Sequence, residues 1–485
     1  MNHHLDAAAN HPFSRDSRWM ALPAILAALM MAIPQAADAA IPAAERAALL
    51  ALYTSTNGSG WHQRTGWMGS AGSECNWYGI TCDATESHVT GIDLSRNALS
   101  GTLSPINGLT QLNYFNVASN QLGGSLPSLS GLTQLQDFFA QDNALTGPIP
   151  ALAGLTALRD FSVDDNQMSG AVPSLSGLGA LWTFTITNNA FSGSLPSLAG
   201  LVELENFQAG HNAFSGPIPS LAGLVSLNYF AAEHNNLTGS VPSLAGLSEL
   251  RGLKLYENLL SGSLPSLAGL PNLSELQLFD NQLTGAIPSL SQLPQLSVVR
   301  LNNNHLSGPI PALAGLANLS TFWVSDNDLT GSLPALTGLQ ALRYFGASGN
   351  QLSGPLPSLG DAPALRIFEA SGNALSGSIP SLSGLFDLES FWVSDNALSG
   401  PIPSLADLTA LQDFRVAGNR LSGSVPAVPA PNSLIPGWSS LCPNALAATP
   451  SMAWDVATGV SPLFQDCNTG DDRIFANGFE LPAPP

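Results

Sequence analysis

Residues 304–311, Asn-His-Leu-Ser-Gly-Pro-Ile-Pro, decide the fold, because variants of this segment recur along most of the chain. The leading asparagine occurs fifteen times, and the interval between successive copies is the same throughout. Gly follows each of these asparagines by four positions, and Pro follows by seven in all repeats but the first, where Ser104 stands. A fixed period of roughly 23 residues predicts a solenoid in which each repeat is one coil stacked on the next. The periodic asparagines are Asn97, Asn120, Asn143, Asn166, Asn189, Asn212, Asn235, Asn258, Asn281, Asn304, Asn327, Asn350, Asn373, Asn396 and Asn419.

Each periodic asparagine is preceded by apolar residues at three, five and eight positions, as Val117, Phe115 and Leu112 precede Asn120. Apolar residues two apart predict a short strand with one buried face. A single coil cannot bury that face alone, so strands of neighbouring coils must pair in parallel, giving a sheet roughly 70 Å long. The asparagine amide is expected to bond main-chain groups of the buried turn, since it both donates and accepts. Gly and Pro on the return path predict 3-10 turns or extended segments instead of long helices.

The repeated pattern Asn-x-Leu-Ser-Gly-x-Leu/Ile-Pro resembles the plant-type leucine-rich repeat over roughly residues 89–428. The resemblance implies an α/β solenoid of about 15 repeats, curved as a right-handed superhelix with its parallel sheet on the concave face. The repeat is one position shorter here than the plant consensus, and the missing position lies between the Pro and the following Leu. Details of the convex turn and the superhelical twist are therefore not carried over from the family.

The segment ahead of the repeats looks like the N-terminal cap of the same family. Residues 75–82, Cys-Asn-Trp-Tyr-Gly-Ile-Thr-Cys, carry that likeness. A solenoid otherwise ends in an exposed slice of core, so Trp61, Trp67 and Trp77 are expected to cover it, next to an amphipathic helix over 44–53.

The four cysteines of the predicted mature chain lie as two local pairs, Cys75 with Cys82 and Cys442 with Cys467. Both pairs are expected to form disulfides in an oxidising compartment. A zinc site built from all four would require the pairs to meet although the whole set of repeats separates them, which makes metal the weaker interpretation.

The remaining organisation follows from composition. Arg15 and Arg18 precede an apolar run at 19–33, and Ala-Asp-Ala at 37–39 is typical of signal peptidase cleavage, with an uncleaved anchor as the alternative. We predict a signal peptide at 1–39, an N-terminal cap at 40–88, the solenoid at 89–428, a C-terminal cap at 429–470 and a tail at 471–485. Trp438 and Trp454, with Cys442 and Cys467, are expected to form the C-terminal cap. Residues 472–480 resemble a terminal motif of some secreted proteins of Gram-negative bacteria. Secretion, with Gram-negative export, is the expected localisation.

Charge excludes several partners. Asp, Glu, Lys and Arg make up 10% of the chain, the net charge is -20, and Lys254 is the only lysine. Nucleic acid and acidic lipid surfaces need a basic face, so neither is expected to bind. No stable membrane insertion and no cofactor are expected, and a monomer is plausible.

Side chains between the buried positions should point outward on the concave face and form a surface that varies while the frame does not. Exposed aromatic rings have no core to fill there and favour recognition of a protein, peptide or glycan. The candidate ligand-binding residues are Trp182, Tyr229, Glu233, Tyr256, Glu257, Phe279, Asp280, Arg300, Trp323, Tyr344, Trp392 and Arg415.

Two features of this surface have alternative explanations. The hexapeptide Phe-Trp-Val-Ser-Asp-Asn at 322–327 recurs unchanged at 391–396, which indicates either a site for an extended ligand or duplication of a repeat with Trp merely tolerated. His211 and His234 beside Glu257 and Asp280 could bind a divalent cation or move a proton, but a polar row on an exposed strand edge is the simpler interpretation.

The sequence thus predicts a secreted binding protein. A structural or adhesive surface protein without a single ligand is the second hypothesis, and an enzyme using the histidines and Glu257 is the third. No zinc-protease motif or phosphate-binding loop is present, so an enzyme is not favoured.

Overall fold

The computed structural model describes residues 41–447 and 451–461. The predicted signal peptide, the tail and Cys467 lie outside these residues. Within them, the parallel solenoid predicted from the fixed period is confirmed. No helix in the described ranges is both long and apolar enough to cross a membrane.

The described chain opens with a helical segment that covers the first coil. It consists of helix α1 at Ala43–Ser55 and two 3-10 helices at Gly58–Gly60 and Glu74–Asn76. Trp61, Trp67 and Trp77 are all buried and in ring contact, with centroids about 5 Å apart between Trp61 and Trp67 and between Trp67 and Trp77. The predicted disulfide between Cys75 and Cys82 is present.

The first sheet contains the strands predicted from the apolar spacing. Its first pair is antiparallel and every later pair is parallel, each strand lying next to its equivalent in the following coil. Its strands are β1 Ile80–Cys82, β2 Val89–Asp93, β4 Tyr114–Asn116, β6 Asp137–Phe139, β8 Asp160–Ser162, β10 Thr183–Thr185, β12 Asn206–Gln208, β14 Tyr229–Ala231, β16 Gly252–Lys254, β18 Glu275–Gln277, β20 Val298–Arg300, β22 Thr321–Trp323, β24 Tyr344–Gly346, β26 Ile367–Glu369, β28 Ser390–Trp392 and β30 Asp413–Arg415.

A second parallel sheet runs through the residues that follow each periodic asparagine. The return path combines this extended strand with tight turns closed by i→i+3 hydrogen bonds, such as those from the Leu132 amide to the Leu129 carbonyl and from the Leu135 amide to the Leu132 carbonyl. Extended segments and tight turns both agree with the prediction, but the pairing into a continuous sheet is not among the predictions. No 3-10 helix occurs in the described part of the solenoid. The strands are β3 Ser100–Thr102, β5 Gln121–Gly124, β7 Ala144–Gly147, β9 Gln167–Gly170, β11 Ala190–Gly193, β13 Ala213–Pro217, β15 Asn236–Gly239, β17 Leu259–Ser263, β19 Gln282–Gly285, β21 His305–Pro309, β23 Asp328–Gly331, β25 Gln351–Gly354, β27 Ala374–Gly377, β29 Ala397–Gly400, β31 Arg420–Ser424 and β32 Ala445–Ala447.

The core between the two sheets is a stack of identical layers. The residue five before each asparagine is fully or almost fully buried in every coil, and most are Phe. Successive rings lie nearly parallel, as Phe345, Phe368 and Phe391 do with centroids 5.3 and 5.7 Å apart. Since every coil repeats the same packing, the backbone of the sheet is held in a fixed register.

The periodic asparagines act as predicted. Asn281 accepts a hydrogen bond from the Leu260 amide at 2.9 Å and donates to the carbonyls of Leu255, Leu278 and Phe279 at 3.0–3.2 Å. Each amide thus links its own coil to the preceding one. An asparagine outside the period, Asn444, makes the same kind of contact with the Leu421 amide and adds a further member to the ladder.

The residue just before the periodic asparagine is left-handed in every coil. Positive φ occurs there at Asp142, His211, Glu257 and Asp326, for example, and at Gly349 and Gly418 in other coils. Asp, Asn and Gly tolerate this conformation best, so backbone geometry accounts for much of the polar row at this position.

The C-terminal segment differs from its prediction in one respect. Trp454, at helix α2 (Met452–Thr458), is buried and packs near Phe414. Trp438 is expected to help cover the end of the core, but it is 51% exposed. Its backbone carbonyl accepts a hydrogen bond from Arg415, and Trp454 covers the end of the core together with the buried Leu441 and Leu446. The disulfide predicted between Cys442 and Cys467 involves a residue outside the described ranges.

Candidate functional site

The concave face is formed by the residues six, four and two positions before each periodic asparagine. These positions alternate with the buried apolar ones along every strand of the first sheet, so their side chains point away from the core. Equivalent residues of consecutive coils lie side by side in register, as Trp323, Gly346, Glu369, Trp392 and Arg415 do.

Four residues form a ladder of rings at the middle of the solenoid. His211 and His234 stack with centroids 4.0 Å apart, and His234 contacts Tyr256 edge-on at 5.2 Å. Tyr256 stacks on Phe279 at 4.4 Å. His234 Nδ1 lies 2.6 Å from a carboxylate oxygen of Glu257. Burial and the neighbouring His234 lower the pKa of His211, which favours its neutral form.

Next to this ladder, the predicted residue Tyr229 forms a polar network with Glu275 and Lys254, which are not among the predicted site residues. The Tyr229 hydroxyl donates to Glu275 at 2.9 Å, and the Lys254 ammonium lies 3.2 Å from the same carboxylate oxygen and 5.1 Å from the Tyr229 ring centre. Tyr229 reaches Glu275 by lying across Gly252, where any Cβ would clash with its ring. Burial raises the pKa of Tyr229. We call these residues and the ring ladder together the middle cluster.

Of the acidic candidates nearby, Asp280 is hydrogen-bonded within the protein, whereas one carboxylate oxygen of Glu233 is buried without a hydrogen-bond partner in the described residues. Asp280 accepts a hydrogen bond from Asn303 at 2.5 Å. Glu233 lies over Gly210, where a Cβ would come within 2.5 Å of its carboxylate. No group of three or more His, Cys, Asp or Glu side chains in the described residues is arranged to hold a metal ion. The two histidines that could have been ligands instead stack on each other.

Three further predicted residues belong neither to the middle cluster nor to the surroundings of the two repeated tryptophans. Trp182 is 46% exposed and precedes strand β10, at the entrance edge of the sheet. Arg300 is half-buried and makes no side-chain hydrogen bond or ion pair within the described residues. The Tyr344 hydroxyl accepts a bond from Arg366 at 3.4 Å, and Arg366 pairs with Glu389.

The two repeated tryptophans have different surroundings although their hexapeptides are identical. The Trp323 indole lies over Gly346 of the next coil, and a Cβ at Gly346 would come within 2.7 Å of the ring. The Trp392 indole is instead covered by the Arg415 guanidinium, 4.3 Å from the ring centre. Arg415 in turn lies 2.8 Å from Asp413, which is fully buried. Burial raises the pKa of Asp413 to about 6 against the opposing effect of Arg415.

Glu369 lies between these two tryptophans in the row. Its side chain is only 7% exposed, and it makes neither a hydrogen bond nor an ion pair within the described residues. Burial raises its pKa to about 8; the Arg415 charge opposes this rise, while Asp326 and Asp413 add to it. We call Trp323, Gly346, Glu369 and Trp392 the tryptophan site.

Sequence reasoning identified the two tryptophans but gave no role to Gly346, Glu369 or Asp413. A signal was present, because Gly346 breaks a row of otherwise larger side chains directly beside Trp323, and a gap there provides space for an indole. No sequence pattern distinguished Glu369, since its burial depends on rings contributed by other coils.

Two surface cavities lie away from the concave face. One of about 250 Å³ is lined by convex-side residues between Pro309 and Ala335, and one of about 470 Å³ lies beside helix α2. The candidate surface is therefore an open face suited to an extended partner.

Comparison with known proteins agrees with this architecture. Residues 42–83 match the leucine rich repeat N-terminal domain. The chain is similar to a TDR receptor, with 30% identity and a TM-score of 0.67, over 75% of this chain and 66% of that one. It is 32% identical, with a TM-score of 0.63, to the ectodomain of the plant membrane receptor kinase GASSHO1/SCHENGEN3 from Arabidopsis thaliana, solved in complex with CASPARIAN STRIP INTEGRITY FACTOR 2. That match covers 73% of this chain and 47% of the ectodomain.

A third structure is the Arabidopsis receptor kinase HAESA in complex with the peptide hormone IDA and the co-receptor SERK1. It is 29% identical over 77% of each chain, with a TM-score of 0.61. The chain spans just under two thirds of the first of these structures and about half of the second. The protein thus has the parallel solenoid fold of these leucine-rich repeat ectodomains, and the segment ahead of its coils matches the leucine rich repeat N-terminal domain.

Proposed function

We propose that this protein is a secreted binding protein that recognises an extracellular protein or peptide on its concave face. The observation that carries the proposal is the tryptophan site, where two partly exposed indoles lie on the same face and flank a buried carboxyl group without a partner in the described chain. Large rings at an open surface are typical of residues that dominate binding energy. These rings are not needed to fill the core beneath them, because the buried residues five before each asparagine already do so.

Two further observations support a protein or peptide partner. The similar ectodomains include complexes with a peptide hormone and with a named protein factor. The concave face is a regular array of strands without a deep pocket at the candidate residues, which fits an extended ligand better than a small molecule. The disulfide at Cys75 and Cys82 fits an oxidising, extracellular location.

The different surroundings of the two tryptophans bear on the duplication hypothesis. Duplication of a coil explains why the two hexapeptides are identical. It does not explain why Trp323 lies over a glycine in the next coil while Trp392 lies beneath an arginine, since both neighbours belong to coils outside the copied segment.

The test is binding of the purified protein to arrays of secreted proteins, peptides and glycans. Replacing Trp323 and Trp392 by Ala should reduce binding at least tenfold while leaving the unfolding transition almost unchanged. Phe386→Ala is the matched control, because Phe386 is a 59% exposed aromatic residue outside both sheets. Unchanged binding by the double variant would reject the concave face as the binding surface.

The same arrays separate the other hypotheses. Capture of many unrelated surfaces, with no dependence on the two tryptophans, would support the adhesive alternative. Binding of neutral glycans alone, lost in the double variant, would keep the surface and change the class of ligand.

A further inference from the structure

The tryptophan site combines two flat rings with a carboxyl group that no side chain of the described protein neutralises. Glu369 is directly in register with Gly346 on one side and Trp392 on the other. Because Trp323 lies over Gly346, an indole occupies the space on that side as well. The backbones of Gly346 and Trp392 are two strand spacings apart, roughly 10 Å. A flat or slender group can enter between the rings when an exposed indole edge rotates.

Nearby charges do not provide a partner for Glu369. Arg415 is the basic residue closest in the row, but it is already paired with Asp413 and stacked on Trp392. Asp326 and Asp413 add negative charge that disfavours ionisation of Glu369. Three carboxyl groups thus face one guanidinium, and the next basic residue in the row, Arg300, lies on the far side of Trp323, three strands from Glu369. A buried, unpaired ionisable group is costly to stability and is typical of functional positions.

Two hydroxyls in the coils around Glu369 are used by the backbone, whereas the Trp392 indole nitrogen and the Ser394 hydroxyl are buried without a hydrogen-bond partner in the described residues. The hydroxyls of Ser325 and Ser348, two positions before their asparagines, accept hydrogen bonds from the amides of Ser348 and Ser371 at 3.1 and 3.0 Å. They stabilise the strand ends and are not directed at the carboxyl group. No side chain of the described residues bonds Glu369, which leaves its carboxyl group available to a group of another molecule.

Ring faces and a carboxylate are complementary to one kind of group. Indoles attract cations through their negative faces, and Lys and Arg side chains bring an apolar stem that packs on rings beside the charged head. We propose that the tryptophan site binds a lysine or arginine side chain of the partner, with its charge against Glu369 and its stem between Trp323 and Trp392. This inference rests on the proposed function and specifies the chemistry of the ligand.

Proton exchange should accompany this binding. Free Glu369 holds its proton at neutral pH, because its pKa is raised to about 8 by burial. A bound cation favours the carboxylate, so affinity should rise with pH. The other groups facing this carboxyl are Asp326, Asp413 and Arg415; Asp413, with a pKa of about 6, is largely ionised over the upper part of the range. Between pH 6 and pH 8 the ionised fraction of Glu369 rises about fiftyfold, which sets the upper limit of the effect.

The experiment is a titration of the full protein, labelled with nitrogen-15 at tryptophan, with N-acetyl-arginine amide. N-acetyl-citrulline amide is the neutral probe of the same shape. The arginine probe should shift the indole signals of Trp323 and Trp392, assigned with the variants W323F and W392F, and saturate them; the citrulline probe should not. Glu369→Gln should weaken arginine binding at least tenfold. Glu275→Gln, the same change in the middle cluster, should leave it within twofold.

Equal shifts with both probes, or unchanged arginine binding by Glu369→Gln, would overturn the inference. If Glu369→Gln also changes the signals of the other indoles, the variant perturbs the fold. The inference is then tested by the pH dependence of arginine binding to the wild-type protein. Affinity for arginine must then be at least tenfold weaker at pH 6 than at pH 8, and equal affinities would overturn the inference.

Failure of this inference is distinguishable from failure of the proposed function. A partner found on the arrays that needs both tryptophans but binds Glu369→Gln normally, and contains no essential Lys or Arg, would overturn the cation site and leave the concave face intact. Binding that ignores the tryptophans would reject the proposed function itself.

Discussion

The middle cluster and the tryptophan site lie on the same face of the same sheet. They differ in whether their polar side chains are paired within the protein. In the middle cluster, Lys254, Tyr229 and Glu275 neutralise and bond one another. In the tryptophan site, Glu369 is buried among rings and bonds nothing in the described chain. Since the frame is equal, the difference lies in the side chains alone. It indicates that Lys254, Tyr229 and Glu275 complete the structure of the first region, whereas Glu369 in the second is left for a partner.

The pH dependence of stability tests this difference most strongly. The pKa of Glu369 is raised to about 8, so the folded protein keeps this proton over a range in which the unfolded chain releases it. Its contribution to stability is therefore complete below about pH 4.5 and is lost as pH rises through 8. Glu369→Gln lacks this loss, and we expect the variant to gain roughly 4 kcal/mol over wild type between pH 4.5 and pH 8.

The measurement is the free energy of unfolding by denaturant at several pH values for both proteins. Glu275→Gln is the control, because it removes a carboxylate that is paired with Lys254 and should destabilise the protein instead. A difference between Glu369→Gln and wild type that does not change with pH would show that Glu369 is solvated in solution.

The second prediction tests whether the asparagine ladder contributes equally to stability in the two regions. Asn281 lies in the middle cluster's part of the solenoid and Asn373 in that of the tryptophan site, and each amide makes four hydrogen bonds. Replacing either by Ala leaves a buried amide hydrogen and carbonyls unpaired, so each should cost about 3 kcal/mol. Asn302→Ala, at a half-buried position without a side-chain hydrogen bond in the described chain, is the control. Clearly unequal costs would mean that the regions differ in frame as well as in side chains.

The sequence predicted this frame well because each coil repeats the same local rules. The spacing of apolar residues predicted the strands of the first sheet, and the recurring asparagine predicted the ladder. The second sheet could not be predicted, because segments such as Asn-x-Leu-Ser-Gly do not alternate between apolar and polar residues, which is the pattern that predicts a paired strand. Parallel pairing there follows from the exact superposition of coils.

The candidate site was predictable only in part. The period placed Trp323 and Trp392 on the open face, but contacts between coils could not be read from it. Glu369 lies between Trp392 and Gly346, and the Trp323 indole lies over that glycine; neither ring placement could be read from the period. His211 and Glu257 show the converse, since a left-handed backbone selects small or polar residues at that position without any ligand.

A smaller effect on the free energy of unfolding should separate the contribution of the Tyr229 hydrogen bond from that of its ring packing in the middle cluster. Tyr229→Phe removes only the hydroxyl that donates to Glu275 at 2.9 Å and should cost about 1 kcal/mol in the free energy of unfolding. Tyr344→Phe is the matched control, because its hydroxyl has only a 3.4 Å contact with Arg366 and should cost less than half as much. If the two losses are equal, the network around Tyr229 is no more than a surface contact.

The smallest effect is expected at Trp182, and it asks whether exposed aromatic residues on this molecule need a common explanation. Trp182 is 46% exposed, lies at the entrance edge of the sheet and has no ring partner in the described chain. Replacing it by Ala should change the free energy of unfolding by less than about 0.5 kcal/mol, since exposed side chains away from a packed network contribute little. It should also leave binding on the arrays within twofold, unlike the double replacement of Trp323 and Trp392. A loss of binding as large as that of the double variant would extend the binding surface from the tryptophan site across the middle cluster, and the contrast between the two regions would then describe stability and not recognition.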